Sequence, residues 1–204
     1  MKEINSKIIK NIIAPFIVLN IIIVFSILIM FLMTITNVMP KKYYKASDFN
    51  IRILYSKVDY DNDNIDDYSD IILGAREQIN NKYDNIETFL YLSLKRAGYD
   101  LEKMIFEDIE LYPNDYVNNS LKNINIYLKK YYPSFTNDYN EIANWQPGDI
   151  IIFENDNIGI VSDRRNKEGI TLIINYNNKV VEEDSIKKYP IKGHYRFDTL
   201  YERS

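Results

Sequence analysis

The pattern of hydrophobic and polar positions divides the chain into three parts. Residues 12–39 are almost entirely Ile, Leu, Val, Phe and Met and carry no charge. From about residue 69 to residue 131, apolar side chains recur every three or four positions, as in amphipathic helices. After Trp145 the apolar residues form short runs separated by polar turns, which is typical of strands. Helices first and strands afterwards predict an α+β fold.

The helical part predicts four helices. Their predicted ranges are 69–81, 84–97, 100–112 and 119–132, with either Asn119 or Ser120 opening the last. The second has the clearest ends. Asp84 is its predicted N-cap, because Glu87 three residues later completes a capping box, and Gly98 is its predicted C-terminal cap.

The last part predicts an antiparallel sheet of about five strands joined by tight polar turns. The predicted strands are 150–153, 158–162, 170–175, 179–182 and 194–197. The first two are separated only by a short polar turn, so we predict that they form a β-hairpin.

The uncharged run predicts one transmembrane helix at 12–39, because about 20 apolar residues in a helix cross a hydrocarbon core of roughly 30 Å. A cleaved signal peptide has a shorter apolar region of about 7 to 15 residues and does not fit. We therefore predict an N-terminal cytoplasmic segment at 1–11, a juxtamembrane stalk at 40–58 and a folded domain at 59–204. Lysines flank both ends of the run, so charge alone does not set its orientation.

Composition narrows the candidate chemistry. The net charge of −4 and the pI near 5.2 argue against a nucleic-acid partner, which would favour a basic face. The chain has no cysteine, which excludes disulfides, thiol nucleophiles and thiolate metal sites.

Residues 59–70, D-Y-D-N-D-N-I-D-D-Y-S-D, have the ligand spacing of a calcium-binding loop. Two positions depart from that pattern: Asn64 stands where glycine is usual, and the last ligand is an aspartate instead of a glutamate. The alternative is an acidic, solvated linker that caps the next helix. The candidate ligands are the side chains of Asp59, Asp61, Asp63, Asp67 and Asp70 and the carbonyl oxygen of Ile65.

Three stretches carry a resemblance to a known family. They are W-Q-P-G-D-I-I-I-F-E-N-D-N-I-G-I-V-S-D-R-R at 145–165, G-H-Y-R at 193–196 and A-G-Y-D at 97–100. The chain resembles a bacterial, YijF-like family of unknown-function domains grouped with the NlpC-type, papain-like cell-wall peptidases. The resemblance implies a papain-like half-barrel. It also implies an extracytoplasmic domain, and therefore an N-terminus inside the cell.

The resemblance also locates the reactive positions, and all three are replaced. The position of the nucleophilic cysteine is Ile86, and the positions of the two histidines are Asn157 and Asn175. We therefore expect a membrane-anchored domain without catalytic activity and without a cofactor other than the candidate calcium. We expect it to bind cell-wall peptide or glycan, or a protein partner, in a cleft lined by Tyr83, Ile86, Asn157, Asn175 and Tyr176.

Two other functions stay open at this stage. One is an active cell-wall hydrolase that uses an unrecognised site around His194, the only histidine. The other is a calcium-responsive surface protein in which the loop at 59–70 is the working part.

Overall fold

The computed structural model describes residues 14–38, 43–54 and 57–197. The chain divides into two units, 1–42 and 43–204. The first contains helix α1, Ala14–Val38. Side chains of α1 are described for residues 17–31, and all of these are exposed.

Within the described residues, no helix is both long and apolar enough to cross a membrane. The predicted cytoplasmic segment at 1–11 lies outside the described residues, as do positions 12, 13 and 39 of the predicted span.

The second unit is α+β, as predicted, with its helices before its strands. The helices are α2 (Asp67–Glu77), α3 (Glu87–Arg96), α4 (Leu101–Leu111) and α5 (Ser120–Tyr131), with short 3-10 helices at Ala46–Phe49 and Pro113–Asp115. The strands are β1 (Ile150–Phe153), β2 (Ile158–Arg165), β3 (Thr171–Tyr176), β4 (Val180–Glu183) and β5 (Ile191–Tyr195).

The five strands form one antiparallel sheet in the order β4-β3-β2-β1-β5. The predicted hairpin of β1 and β2 is confirmed, with Ile151 opposite Gly159. The last strand, β5, pairs with the other side of β1, and His194 lies opposite Ile151.

Successive side chains of the central strands point alternately to two apolar cores, one on each side of the sheet. Both faces of the sheet are therefore buried. Ile150, Ile160 and Ile174 pack with the helices. Their neighbours Val161 and Ile173 belong to the second core, on the opposite face, which also contains Trp145 and Ile186. A strand that is buried on both faces has a continuous apolar run, and the sequence of β1, Ile-Ile-Ile-Phe, has this form.

Several predicted boundaries differ from the structure. The first helix, predicted at 69–81, is Asp67–Glu77, β2 continues past its predicted end at 162, and β5, predicted at 194–197, is Ile191–Tyr195. Helix α3 begins at Glu87 and not after Asp84, and the Glu87 carboxylate accepts a hydrogen bond from the Ser120 hydroxyl instead of completing a capping box. Part of the predicted stalk is joined to the folded domain. The Tyr44 N–H donates to the Arg165 carbonyl at 3.0 Å, and the Gln146 side chain donates to the Arg52 carbonyl at 3.1 Å.

Candidate functional site

Ile86 immediately precedes α3, at the position where the resemblance places a nucleophile. Phe89, Leu90 and Leu94 fix the helix in the core, since all three are fully buried. The Ile86 side chain is only partly buried. It has no atom that can attack a carbonyl group or transfer a proton.

Three of the predicted cleft residues lie together beside the end of β3. The Tyr176 hydroxyl donates to the Tyr83 carbonyl at 2.9 Å and accepts from the Tyr83 N–H at 3.2 Å. The Asn157 amide donates to the Tyr176 carbonyl at 2.9 Å, and its oxygen accepts from the N–H of Ile158 at 2.7 Å. Tyr83, Asn157 and Tyr176 are all partly exposed. They form a partly open surface, which we call the tyrosine surface.

Asn175 does not join this surface. It lies on the same face of β3 as Ile173, and Ile173 belongs to the core that the helices do not contact. Its amide donates to the Ser185 hydroxyl at 3.0 Å, and the residue is completely buried. The predicted cleft is therefore corrected at this position, because successive residues of a strand point to opposite faces.

His194 lies in a buried polar cluster that we call the Asp149 cluster. Its Nδ1 is 2.8 Å from the Thr136 carbonyl oxygen, and its Nε2 is 2.9 Å from Asp149 Oδ2. Both ring nitrogens therefore have an oxygen atom within hydrogen-bond distance. Arg196 donates to both Asp149 oxygens at 2.9 and 3.0 Å, and the Trp145 ring stacks on His194 at 4.0 Å.

This arrangement indicates a structural role for His194. The ring is fully buried and both of its nitrogens are engaged. A general base needs a free lone pair within reach of the proton that it removes. Among the described residues, both ring nitrogens of His194 are occupied by contacts within the protein.

A second charged cluster depends on Arg76, whose position in α2 gave no sign of its partners. The Arg76 guanidinium donates to Glu182 at 2.8 Å, to Ser162 at 3.0 Å and also to Asp163. Burial opposes its charged form, but the bonds to the two carboxylates outweigh burial and raise the pKa of Arg76. Arg164 donates to Glu182 as well, at 2.7 Å. These carboxylates neutralise the arginines, so they are not a free acid/base pair.

Arg165 differs from Arg164 because it is buried and donates hydrogen bonds to backbone carbonyl oxygens. It donates to the carbonyls of Ile142 and Gly169 at 2.9 and 2.8 Å and to that of Trp145 at 2.6 Å. Burial lowers the pKa of Arg165 to about 10. Its role is to join the β2–β3 turn to the segment before β1.

The acidic loop brings three of its predicted ligands together. Carboxylate oxygens of Asp59, Asp61 and Asp63 all lie within 4.8 Å of one another. Asn64, at the usual glycine position, has a left-handed backbone with φ of 71°. The loop therefore has the turn that its sequence pattern requires.

The other two predicted carboxylate ligands have different surroundings. Asp67 accepts from the Tyr60 N–H at 2.7 Å and from the Tyr99 hydroxyl, so both of its oxygens are engaged. Asp67 therefore attaches the loop to Tyr60 and Tyr99. It stands at position 9 of the calcium loop, which often reaches the ion only through a water molecule. Asp70 accepts from Arg96 at 3.0 Å through one oxygen, and its other oxygen is buried with no hydrogen-bond partner. Burial, followed by the negative charge of Asp63, raises the pKa of Asp70, although Arg96 opposes this.

Of three comparisons with known proteins, one finds a match. No curated protein and no solved structure matches the chain. A family profile matches residues 89–197, from the first turn of α3 to just past β5. The match begins three residues after Ile86 and covers more than half of the chain. The chain therefore belongs to DUF1287, a family described as a domain of unknown function.

Proposed function

We propose that this protein is a membrane-anchored, non-hydrolytic domain of the NlpC-type, papain-like class that binds the cell-wall polymer without cleaving it. The observation that carries the proposal is Ile86 at the start of α3. Papain-like catalysis needs a thiolate at a helix N-terminus and an imidazole facing it. The chain has no cysteine, and its one histidine is fully buried.

The arrangement of the second unit supports the papain-like relationship. In that class, a helix begins at the nucleophile and packs against an antiparallel sheet. Here α3 begins directly after Ile86 and packs against β2. Asn157, at the position of the first histidine, directly precedes β2.

The tyrosine surface is the proposed binding surface. The hydroxyl of Tyr176 and the amide of Asn157 are used within the protein, so they fix the shape of the surface. The Tyr83 ring is partly exposed. Tyrosine gives a ligand a rigid apolar face together with a hydroxyl, which suits sugar rings and peptide groups.

The uncharged run at 12–39 supports the anchor, since about 20 apolar residues in a helix suffice to cross a bilayer. We propose that the chain crosses the membrane once, with residues 1–11 in the cytoplasm and the folded domain outside. Protease treatment of inside-out vesicles should then leave the domain intact, and its digestion would reverse the orientation.

The binding test compares the full-length chain with two variants on purified peptidoglycan. We expect the unmodified chain to be retained without releasing peptides or sugars. Tyr83→Ala should weaken retention at least about fivefold, which is about 1 kcal/mol, the loss expected for an important aromatic contact. The backbone of Tyr83 keeps its bonds to Tyr176 in this variant. The matched control is Phe106→Ala, which removes an aromatic ring that is 59% exposed on α4.

Three outcomes would contradict the proposal. Hydrolysis by the unmodified chain would overturn its non-hydrolytic character, because losing one member of a nucleophile and base pair costs about 10⁴ to 10⁶ in rate. If the two variants are retained equally, the tyrosine surface is not the binding surface. Absence of retention would leave a protein partner as the alternative ligand. Competition by soluble stem peptide or by glycan fragments identifies which part of the polymer is bound.

A further inference from the structure

The acidic loop carries a large uncompensated negative charge. Asp59, Asp61 and Asp63 converge to within 4.8 Å, and all three are at least partly exposed. Among the described residues, the cation that forms a salt bridge with this loop is Arg96, and it is bonded to Asp70. Three carboxylates at this distance repel one another unless a cation lies between them.

Asp70 adds an observation that is independent of this cluster. Its side chain is only 1% exposed, and Oδ2 has no hydrogen-bond partner. A buried carboxylate oxygen without a partner is costly, and native proteins rarely leave one without a reason. Asp70 lies outside the group of three carboxylates, but it bonds to Arg96 at 3.0 Å, and Asp61 packs against Gly98 two residues further on. Both carboxylates therefore lie at the C-terminal end of α3. A cation between them would satisfy both features together.

We propose that residues 59–70 bind one calcium ion through Asp59, Asp61, Asp63 and Asp70, with the Ile65 carbonyl as a further ligand. These are positions 1, 3, 5, 12 and 7 of the twelve-residue calcium loop. All of the ligand atoms are oxygens, which calcium prefers, and the several carboxylates suit its flexible coordination better than the strict octahedron of magnesium. Asp70 offers one open oxygen where the usual glutamate offers two, which favours the weak end of the affinity range.

The ion would hold the loop against the rest of the domain. Tyr60 stacks on Tyr99 at 4.7 Å, and the Tyr99 hydroxyl bonds to Asp67. Gly98 lies so close that an added Cβ would come within 2.9 Å of Asp61 Cβ. The ligand Asp70 is in the first turn of α2. Calcium would therefore join the loop to α2 beside the turn between α3 and α4, and binding should stabilise the folded domain.

The test is calorimetric titration of the full-length chain with calcium chloride at fixed ionic strength, with magnesium chloride as the comparison. We expect one ion per chain with a Kd of about 10⁻⁴ to 10⁻³ M, and a melting temperature that rises with calcium concentration. Magnesium should bind at least about tenfold more weakly, because the site would have to meet its octahedral geometry.

Two kinds of variant locate the site. Asp61→Asn with Asp63→Asn, and Asp70→Asn separately, should each weaken calcium binding at least about tenfold, since each removes charged ligands while keeping side-chain shape. The matched control is Asp84→Asn with Glu110→Gln, which removes the same charge from exposed positions outside the loop. It should bind calcium as the unmodified chain does.

The outcomes are decisive. Absence of binding and of any change in melting temperature at 5 mM calcium, about five times the weakest Kd expected, overturns the proposal. An equal response in the loop variant and the charge control also overturns it, because the effect would then be screening of net charge. If Asp70→Asn does not fold, Asp61→Asn alone decides, since its side chain is exposed and Asn keeps the acceptor for the Asp63 N–H. Unchanged affinity in that variant would refute the site.

Discussion

Replacement of Asp149 by alanine should be among the most destabilising single substitutions in this domain. Asp149 is fully buried and accepts four described hydrogen bonds. Alanine would leave the guanidinium of Arg196, only 6% exposed, without its carboxylate, and would remove the acceptor of His194 and of the Gln146 N–H. Removing one partner of a buried ion pair costs about 3 to 5 kcal/mol, and we expect Asp149→Ala to lower the free energy of unfolding by that amount.

Trp145 provides the assay for this prediction. It is the only tryptophan in the chain, and its ring stacks on His194 with the two planes 2° apart. Denaturant unfolding followed by tryptophan fluorescence therefore reports directly on the Asp149 cluster. The control is Asp115→Ala, which removes an exposed carboxylate 3.4 Å from Lys130 and should cost less than about 1 kcal/mol.

A small effect would refute the reasoning. If Asp149→Ala loses no more stability than the control, the Asp149 carboxylate does not stabilise the buried guanidinium of Arg196 as we argue. Asp149→Asn refines the result, because it keeps the shape and one acceptor oxygen but loses the charge. Its cost should lie between those of the control and Asp149→Ala.

Two further predictions concern other charged groups. Arg76→Ala should lower the free energy of unfolding by about 1.5 to 3 kcal/mol, since it removes hydrogen bonds to the buried carboxylate of Glu182. The control in the same denaturant titration is Lys103→Ala, which breaks an exposed ion pair on a helix. It should change the free energy of unfolding by less than about 0.5 kcal/mol. Burial alone would raise the pKa of Asp108, but bonds from two tyrosine hydroxyls and a lysine lower it below its ordinary value of 3.8. Its stabilising contribution is therefore present above that value and lost as the pH falls through the lowered pKa, so unfolding measured from pH 2 to 5 should depend less on pH in Asp108→Asn.

Features with local sequence signals were predictable. Gly98 ends α3 in a left-handed conformation with φ of 80°, as a C-terminal glycine does. The side chain of Asp100 caps α4 by accepting from the Lys103 N–H, and that of Asn119 caps α5 in the same way. In each case, the residue that determines the boundary is within a few positions of it.

Features that depend on distant partners were not predictable. Glu87 fits a capping box in sequence, but its carboxylate is bonded to Ser120, 33 positions away. The salt bridge of Arg76 with Glu182 joins residues 106 positions apart, and no local pattern indicates it. Asn175 was placed in the cleft because the resemblance aligns it with the second histidine. The chain gives no local signal against that placement, since β3 is buried on both sides and no alternation of polar and apolar residues marks the side that faces the helices.

The order of the strands has a consequence for synthesis of the chain. The hairpin of β1 and β2 can form early, but the outer edge of β1 has to wait for β5, at Ile191–Tyr195. At about 5 to 20 residues per second, a ribosome needs roughly 2 to 8 seconds to travel from the end of one strand to the start of the other. Throughout that interval, four consecutive apolar residues present unpaired backbone groups at an open edge, and such edges promote aggregation. A chain truncated before residue 191 should accordingly aggregate as it leaves the ribosome, even though it contains all the helices and four of the five strands that the structure describes.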